Sequence, residues 1–422
     1  MDVMQIIRSV GAHWFPSLQY RDSRLLWFAS FFAGSGNWGL IVARGWLIFD
    51  ISNSSTLVGM ATFAAMIPRF LLTAVTGYLV DRFDRRAVLA WSIGVAVVHN
   101  MVLAALVLGG LIQVWHLLVL SLIDGSARAT QMPASAALAP NLVPRKYLLN
   151  AIALNSATQQ GSRLVGAAAM GPLLTYLDPG VAFLFCTVLY ALCIPLVLLI
   201  RTSSTGVVES SRGAVENLLA GFFYLYRHPL LLPFLLLVVG HCALTMAFES
   251  LLPVLSREKL NAEGGGFGYL MMAVGAGGLA GSLVVGGILT ERMRGRLLVL
   301  FGIFSGVSNI ALAVATSLPL ALLFATAMGA AQAGFMTIFH LVVQSTVSDD
   351  VRGRVSSVNN LHIGGMMAVF NLVNGSLADL IPAPWVLAAT GGAFVVMMGA
   401  SLLVLPLRGL YAGGVPAKAA AH

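Results

Sequence analysis

The chain has 422 residues, of which 58% are hydrophobic and only 9% are charged, and its formal net charge is +8. Average soluble domains contain about 25% charged residues, so this composition excludes an ordinary soluble protein and predicts one embedded in lipid. The 44 glycines agree with that prediction, because helices inside a bilayer approach each other closely through small residues.

Twelve stretches of the sequence are long and apolar enough to cross a bilayer, which requires about 20 residues in a helix. A transmembrane β-barrel would show shorter segments of alternating polarity instead, so we predict an all-α polytopic membrane protein. The predicted spans, numbered from first to twelfth, are residues 24–50, 56–80, 87–109, 112–139, 147–177, 180–200, 229–256, 266–290, 297–316, 318–346, 354–380 and 384–407.

A polar stretch rich in serine and glycine, residues 202–214, separates six spans from six. Residues 215–228 then have the composition of a short helix at the membrane interface. The residues before the first span lack the long apolar core of a signal peptide. We therefore expect an N-terminal segment 1–23, a six-helix bundle 24–201, a linker 202–228, a second six-helix bundle 229–408 and a tail 409–422.

The net charge suggests a nucleic-acid-binding protein, but the positions of the charges argue against one. Of the 24 arginine and lysine residues, 18 fall on one side of the twelve-span map, two fall on the other side and four fall within spans. Positively charged loops stay in the cytoplasm, so we expect both termini to be cytoplasmic. The lipid bilayer is then the expected partner, and nucleic acid is not.

The sequence contains no motif that would support enzyme chemistry or a metal site. There is no phosphate-binding Walker loop, no GxSxG and no HExxH. Cys186, Cys193 and Cys242 all fall inside predicted spans without a CxxC spacing, which argues against a zinc site or a disulfide framework. We therefore predict no catalytic residues, no metal and no cofactor, and expect the energy for any transport to come from a gradient.

The pattern Gly77-x-x-x-Asp81-Arg82-x-x-Arg85-Arg86 follows the second span, and a weaker copy, in which Thr290 replaces the aspartate, follows the eighth. This pattern matches the signature loop of the major facilitator superfamily, which the chain resembles along nearly its whole length. Two six-helix halves in the same orientation are the parallel-repeat arrangement of that superfamily.

Within the superfamily, the chain is most similar to the branch that contains the enterobactin exporter and other efflux proteins, through residues 68–72, 133–138 and 149–156. The glycine motif that antiporters carry in the fifth span is only partly present. The resemblance implies a monomer in a bacterial plasma (inner) membrane that exports its substrate by alternating access.

The resemblance assigns a conformational latch to Gly77, Asp81, Arg82, Arg85 and Arg86. Asp81 would lie near the start of the eleventh span, where the helix dipole favours negative charge. Such contacts exist only when the cytoplasmic side is closed, so they would favour the outward-facing state. The alternative is that the arginines merely set topology. The expected partners of the arginines are Glu291, Asp349 and Asp350.

Six charged residues fall inside predicted spans, where a charge at the bilayer centre costs at least about 2.5 kcal/mol and usually faces a cavity or a partner. None of them lies in the third, sixth, ninth or twelfth span, which form the outer layer of the superfamily. Polar residues at helical spacing extend the set. We predict a substrate cavity lined by Asn37, Arg44, Arg69, Arg128, Asn155, Gln159, Arg163, Asn360 and Asn371.

Asp124 and Glu249 are the candidates for proton coupling. Asp124 and Arg128 lie four residues apart on one helix, so we expect them to pair; the pair is either purely structural or a proton site. Glu249 aligns with His241 and Thr245 on one face of the seventh span and has no partner in its own helix. A lone acid in a partly dry cavity can load protons near neutral pH, and the alternative is a carboxylate that simply sits in water.

Four arginines against two acids leave the predicted cavity positive, which favours an anionic or amphipathic substrate. The alternative is that some arginines bond helix-end carbonyls or, for Arg44, pair with Asp50. We predict a secondary active transporter, namely a proton-coupled exporter of a small molecule. An uncoupled facilitator or importer on the same fold, and a non-transporting membrane receptor, are the alternatives.

Overall fold

The computed structural model describes residues 16–202, 214–286 and 291–413. These residues form helices joined by short connections, and no strand occurs among them. Helices cover each of the twelve predicted spans, which confirms the all-α class. Three further helical segments of three or four residues lie outside the spans: Pro16–Gln19, Ala139–Leu142 and Arg145–Tyr147.

The helices of the first half begin and end close to the predicted boundaries. The second span consists of three helical stretches with breaks at Ile67 and Leu72. At the first break, Pro68 has no backbone N–H to continue the ladder. The six spans are Arg21–Ser52; Ser55–Met66 with Pro68–Leu71 and Thr73–Arg82; Arg85–Leu108; Val114–Leu138; Leu148–Tyr176; and Pro179–Leu198.

In the second half, the seventh span is broken in its middle, whereas a continuous helix was predicted. The spans are Leu231–His241 extended by the π-helix Cys242–Met246, then Leu252–Val254 and the π-helix Leu255–Lys259; Glu263–Gly286; Glu291–Val314; Leu318–Thr346; Asp349–Ala378; and Ala383–Ser401. A linker helix, Ala214–Arg227, precedes them and a final helix, Leu405–Gly413, follows them.

Eight helices among the described residues are, by length and composition alone, apolar enough to cross a membrane. A ninth candidate is a pair of helices, Leu219–Arg227 and Leu231–Met246, bent by 105°. The second and seventh spans are interrupted by breaks, and the fourth and fifth carry Asp124, Arg128 and Arg163 at mid-helix. A membrane helix can have a polar or broken middle segment where it lines a polar site, because that segment does not face lipid on all sides.

The third, sixth and ninth spans present rows of exposed apolar side chains at helical spacing. The rows are Trp91, Val95, Val98 and Val102 on the third span, Leu184, Val188 and Leu192 on the sixth, and Leu300, Phe304 and Val307 on the ninth. A contiguous apolar surface of this size is unfavourable in water and suits contact with lipid. These helices therefore form the outer layer, and the charged residues lie inside it.

We call the end of the bundle next to the linker helix the linker end, and the opposite end the far end. At the far end, the first helix is connected to the second by a turn of only a few residues. Asn53 adopts a left-handed backbone, with φ of 49°, and ends the first helix. The Ser54 side chain then accepts a hydrogen bond from the Leu57 N–H and caps the second helix.

The two halves of the chain meet at the far end through glycines on the second and eleventh spans. A Cβ on Gly59 would collide with the backbone of Asn371 and Leu372, and one on Gly375 with the backbone of Ser55. The fifth and eighth spans meet in the same way, since a Cβ on Gly268 would collide with the backbone of Met170 and Gly171. Only glycine permits this approach.

At the linker end, the corresponding positions are open. Among the described residues, nothing lies within 4 Å of a Cβ placed on Gly77 of the second span or on Gly353 of the eleventh. Asn155 and Gln159 on the fifth span and Asn360 on the eleventh are exposed. Among the described residues, the halves are therefore closely packed at the far end and separated at these positions of the linker end.

Candidate transport site

A buried ion pair joins the first span to the fourth. Arg44 is 4% exposed and Asp124 is 1% exposed, and 3.6 Å separate Arg44 Nη1 from Asp124 Oδ2. Neither oxygen of Asp124 accepts a hydrogen bond among the described residues. A buried carboxylate held by charge alone is poorly compensated, because no hydrogen bond from the described residues satisfies its oxygens.

The partner of Asp124 differs from the prediction. The spacing of four residues pointed to Arg128, but Arg128 makes no ion pair with Asp124 among the described residues, and Arg44 approaches instead. The alternative partner of Arg44, Asp50, pairs with Arg257. Helical periodicity places side chains on one face of their own helix, whereas the approach of a neighbouring helix decides which charge comes nearest.

Arg163 of the fifth span lies in an aromatic and sulfur environment. Its guanidinium carbon is 4.5 Å from the ring centroid of Trp38 and 5.9 Å from that of Phe248, and its Nη2 is 3.9 Å from Met271 Sδ. No carboxylate pairs with it among the residues that the structure describes. Cation–π contacts stabilise a desolvated guanidinium while leaving N–H groups for a further acceptor.

Glu249 of the seventh span is buried, at 5% exposure. Four arginines of the first half lie within electrostatic range of its carboxyl group. Arg163 contributes most, followed by Arg44, Arg128 and Arg69. Glu249 makes no hydrogen bond or ion pair within the described part of the chain. It therefore belongs to the same charged region as Asp124, approached from the other half. The structure thus brings the six predicted intramembrane charges together.

The seventh span loses its helical hydrogen bonds between Ala247 and Leu251, where Ala247 has φ of −87° and ψ of 59°. Four amide side chains from three other spans make hydrogen bonds to backbone groups beside this break. Gln332 Nε2 donates to the Thr245 carbonyl at 2.7 Å, and Asn309 Nδ2 donates to the same carbonyl at 3.4 Å.

The other two amides belong to the eleventh span. Asn374 Nδ2 donates to the Ala247 carbonyl at 2.7 Å. The Ser250 N–H donates to Asn371 Oδ1 at 3.2 Å, and the Ser250 hydroxyl donates to the Asn371 carbonyl at 2.8 Å. Asn371 was predicted to line the substrate cavity; the structure buries it completely against the broken span.

The break also separates residues that were expected on one helix face with Glu249. His241 is fully buried inside the second half, where its ring lies 3.0 Å from the Ser305 hydroxyl and stacks on Phe335 with centroids 4.2 Å apart. Glu249, beyond the start of the break, instead lies within electrostatic range of arginines of the first half. The prediction of a common face was wrong because it assumed an unbroken helix.

The remaining predicted cavity residues differ in burial. Asn37 is buried in the first span, and its Oδ1 accepts no hydrogen bond among the described residues. Arg69, half-buried, lies within electrostatic range of Arg128 and Asp124. The exposed residues Asn155, Gln159 and Asn360 lie nearer the linker end.

In the predicted latch, the arginines bond their own half of the chain. Arg85 Nη1 donates to the Ala137 carbonyl at 3.1 Å, and Arg86 Nη1 donates to the Ile200 carbonyl at 2.7 Å. Arg82 Nη1 donates to the Tyr78 hydroxyl at 2.7 Å. The side chains of Asp81 and of the expected partners lie outside the described residues, so pairing across the halves stays a prediction; these partners are Glu291, Asp349 and Asp350.

A polar contact that the sequence did not point to closes the far end. The carboxylate of Asp379, just after the eleventh span, accepts hydrogen bonds from Ser54 Oγ at 2.6 Å, Ser55 N at 2.6 Å and Thr56 N at 3.1 Å. Burial acts to raise the pKa of Asp379, but the bonds from Ser54, Thr56 and Ser55 outweigh it and hold the pKa below its usual value.

A second polar contact across the halves lies beside the first. Arg257 Nη2 is 2.9 Å from Asp50 Oδ1, and Arg257 Nη1 donates to Asn53 Oδ1 at 3.2 Å. The Ser-Ser-Thr sequence at 54–56 was a visible capping signal. Nothing in its spacing indicated that a carboxylate more than 300 residues later would bind it.

The chain is similar to known bacterial proteins over most of its length. The chain is 24% identical to the uncharacterized MFS-type transporter YvqJ of Bacillus subtilis, over 92% of this chain and 93% of that protein. It is 25% identical to the multidrug efflux pump Tap of Mycolicibacterium fortuitum, over 91% and 93%. It is 22% identical to the staphyloferrin A transporter of Staphylococcus aureus, over 83% and 88%.

Among solved structures, the nucleoside transporter NupG superposes with a TM-score of 0.72 at 14% identity, over 91% of this chain and 99% of NupG. A POT family transporter superposes with a TM-score of 0.70 at 14% identity, over 92% and 96%. At these identities the likeness shows the fold. The family model described as transmembrane secretion effector matches residues 12–415, and the chain therefore belongs to this family of the major facilitator superfamily, whose members are membrane transporters and not enzymes.

Proposed function

We propose that this transporter is a proton-coupled exporter of small anionic or amphipathic molecules in the bacterial plasma membrane, with both termini in the cytoplasm. The observation that carries the proposal is the charge arrangement between the halves. Asp124 and Arg44 form a buried pair, Glu249 approaches from the other half, and Arg163 has no carboxylate partner among the described residues.

The substrate class follows from the balance of charges. Four arginines and two acids lie in the region, which leaves a formal charge of +2 when both acids are ionised. The Arg163 guanidinium, bounded by Trp38, Phe248 and Met271, can donate hydrogen bonds to an anion while its neighbours contact apolar substrate atoms. An amphipathic anion satisfies both requirements.

Proton coupling rests on the two acids. Protonation of Asp124 would remove the attraction that holds Arg44, and the freed guanidinium would then favour an anion. Protonation of Glu249 would remove the negative charge that faces the arginines of the first half. Either event changes the affinity of the region for an anionic substrate, and a difference in affinity between two states is what couples two ligands.

The loop charges, the packing of the two ends and the relatives support a membrane topology and a direction of transport. The excess of arginine and lysine at the linker end supports a cytoplasmic linker end. The halves are closed at the far end and diverge at the linker end, as in an inward-facing state that would load substrate from the cytoplasm. The relatives Tap, an efflux pump, and the staphyloferrin A transporter support export of a small molecule.

The test is substrate-driven proton movement in liposomes that contain the purified chain and a pH-sensitive dye. The compound panel includes staphyloferrin A, amphipathic organic anions and lipophilic cations. We expect proton flux that requires an anionic compound and falls at least about tenfold in Asp124→Asn and in Glu249→Gln. The matched control is Arg21→Gln, because Arg21 is exposed and lies outside the charged region.

Two results would contradict parts of the proposal. Compound flux without proton flux would identify an uncoupled facilitator with structural acids. A preference for lipophilic cations, together with no effect of Arg163→Gln, would refute the anionic substrate class. The Arg163→Lys variant separates charge from geometry, because lysine keeps the charge but loses the planar donor set.

A further inference from the structure

The unusual feature of the second half is that irregular backbone is buried in the middle of a membrane-spanning segment. Ala247, Phe248, Glu249 and Ser250 are exposed by 2%, 2%, 5% and 0%. Unpaired backbone groups at this depth cost several kcal/mol each, so such a break persists only where other groups satisfy it. Here the partners are amide side chains.

We call the four residues Asn309, Gln332, Asn371 and Asn374 the amide clamp. All four are buried, with exposures of 0%, 2%, 0% and 2%. They come from the ninth, tenth and eleventh spans and bond the carbonyls of Thr245 and Ala247 and the backbone and hydroxyl of Ser250. The clamp thus bonds the chain on both sides of Glu249 and leaves Glu249 itself without a clamp partner.

The consequence is the direction in which Glu249 faces. In a continuous helix, Glu249 would share a face with His241 and Thr245, which are both fully buried inside the second half. At the break, the Phe248 ring centroid lies 5.9 Å from the Arg163 guanidinium carbon, and the neighbouring Glu249 lies within electrostatic range of Arg163. The break therefore moves the acid from the interior of one half to the interface between the halves.

The same stretch of the eleventh span also closes the far end. The Asn371 carbonyl that accepts from the Ser250 hydroxyl lies against Gly59 of the second span. One turn later Gly375 packs on Ser55, and Asp379 binds the cap of the second span. A movement of the eleventh span away from the second would therefore pull on the residues that position Glu249.

We infer that the amide clamp is a positioning element for Glu249, which it holds at the interface and links to closure of the far end. Asn371 and Asn374 are the central members, because they contact the broken span and belong to the closing surface. The functional meaning of this inference rests on the proposed proton role of Glu249. The positioning itself is a statement about geometry and is tested without transport.

The test measures the reaction of Glu249 with a hydrophobic carbodiimide, which modifies protonated carboxyl groups in apolar surroundings, in the full chain reconstituted in liposomes. Modification is quantified by mass spectrometry across a range of pH. The charged groups within electrostatic range are Arg163, Arg44, Arg128 and Arg69, and none of them is altered. We expect Asn374→Ala and Gln332→Ala to change the rate of modification about threefold or more and to move its pH midpoint.

The matched control is Asn359→Ala. Asn359 is a buried amide on the same helix as Asn374, at 3% exposure, and its Oδ1 has no hydrogen-bond partner among the described residues. We expect this variant to react as the unaltered chain does. A conservative variant, Asn374→Ser, keeps a donor near the Ala247 carbonyl, and we expect it to restore part of the original rate.

Equal reactivity of Glu249 in Asn374→Ala, Gln332→Ala and Asn359→Ala would overturn the inference. If Asn374→Ala cannot be recovered from membranes, Ser250→Ala decides, because it removes only the hydroxyl that donates to Asn371; unchanged reactivity there overturns the inference as well. Proton flux with unchanged reactivity refutes the positioning role alone, whereas changed reactivity without proton flux refutes the proposed coupling and leaves the positioning role intact.

Discussion

The two ends of the interface between the halves are built differently. At the far end, glycines bring backbones into contact, Asp379 accepts three hydrogen bonds from the start of the second span, and Arg257 pairs with Asp50. At the linker end, Arg85 and Arg86 bond carbonyls of their own half. Among the described residues, the contacts that join the halves are therefore concentrated at the far end, whereas Arg85 and Arg86 at the linker end bond their own half.

The linker helix adds to this contrast, because it packs on the second half. A Cβ on Gly221 would collide with the backbone of Arg354, and the Tyr226 hydroxyl lies 2.9 Å from His362 Nε2. Alternating access requires the joined end to open when the open end closes. The far-end contacts must then be individually weak enough to break, and the linker end must supply comparable contacts in the other state.

The largest expected effect comes from the glycine contact. In Gly59→Leu, the side chain would enter the backbone of Asn371 and Leu372, so the far end could not close, and we expect transport to fall by at least about tenfold. Transport in liposomes measures this effect. The control is Gly392→Leu, since a Cβ on Gly392 meets nothing within 4 Å among the described residues. Full transport by Gly59→Leu would show that this closure is not part of the cycle.

The second largest effect is expected at the linker end. If Asp81 forms the predicted latch, Asp81→Asn removes the charge favoured at the start of the eleventh span, and we expect transport to fall about tenfold while the protein remains folded. The matched control is Glu258→Gln, an exposed acid at the far end. Equal transport by both variants would leave the arginines with a topological role only.

A smaller effect is expected at Asp379. In Asp379→Ala the second span loses a charged hydrogen-bond acceptor that is partly open to solvent, so we expect a cost of about 1 kcal/mol to the closed far end, or about a fivefold shift in its population. Spin labels at Leu111 and Thr316, two exposed far-end positions in opposite halves, would report it as an increased population of long distances. An unchanged distribution would contradict the role of Asp379 in closure.

The closed far end should also respond to pH through Asp379. The pKa of this carboxyl is held below its usual value when the end is closed, so its contribution is fully present above the ordinary carboxyl pKa. The contribution is lost as pH falls through the lowered pKa. We expect acidification to populate the open far end in the same spin-label experiment. The response should be reduced in Asp379→Asn, and an equal response there would assign it to other acids.

The smallest effect is expected at Arg257. Its side chain is 37% exposed and that of Asp50 is 42% exposed, and exposed ion pairs contribute about 0–1 kcal/mol. We expect Arg257→Gln to change the far-end population less than about threefold and to lose its effect at high salt. A larger change than that of Asp379→Ala would reverse the ranking of the two contacts.

Much of the fold could be predicted because its signals are local. Runs of apolar residues marked all twelve spans, and the exclusion of charges from the third, sixth, ninth and twelfth spans indicated the outer layer. Helices cover all twelve predicted spans, and exposed apolar rows that include Trp91, Val188 and Phe304 place the third, sixth and ninth spans in the outer layer. Such features depend on the transfer of single helices into lipid, which each segment's own composition determines.

The site was predictable as a set of residues but not as a set of contacts. Arg44, Asp124, Arg163 and Glu249 were identified from the cost of placing charge in a membrane. The pairing of Asp124 with Arg44, and not with Arg128, could not be read from helical spacing, because it depends on how the first span crosses the fourth. The polar residues Asn309 and Gln332 in apolar spans were signals that went unused.

The sequence by itself determined that this chain is a twelve-span transporter-like protein, because composition and periodicity act within each segment. The tertiary structure alone decided where the seventh span breaks, which residues bond the break, and how Asp379 reaches Ser54. These features join residues far apart in the chain, and their free energies arise only when the helices have packed. Contacts between distant helices leave no periodic trace in a single sequence.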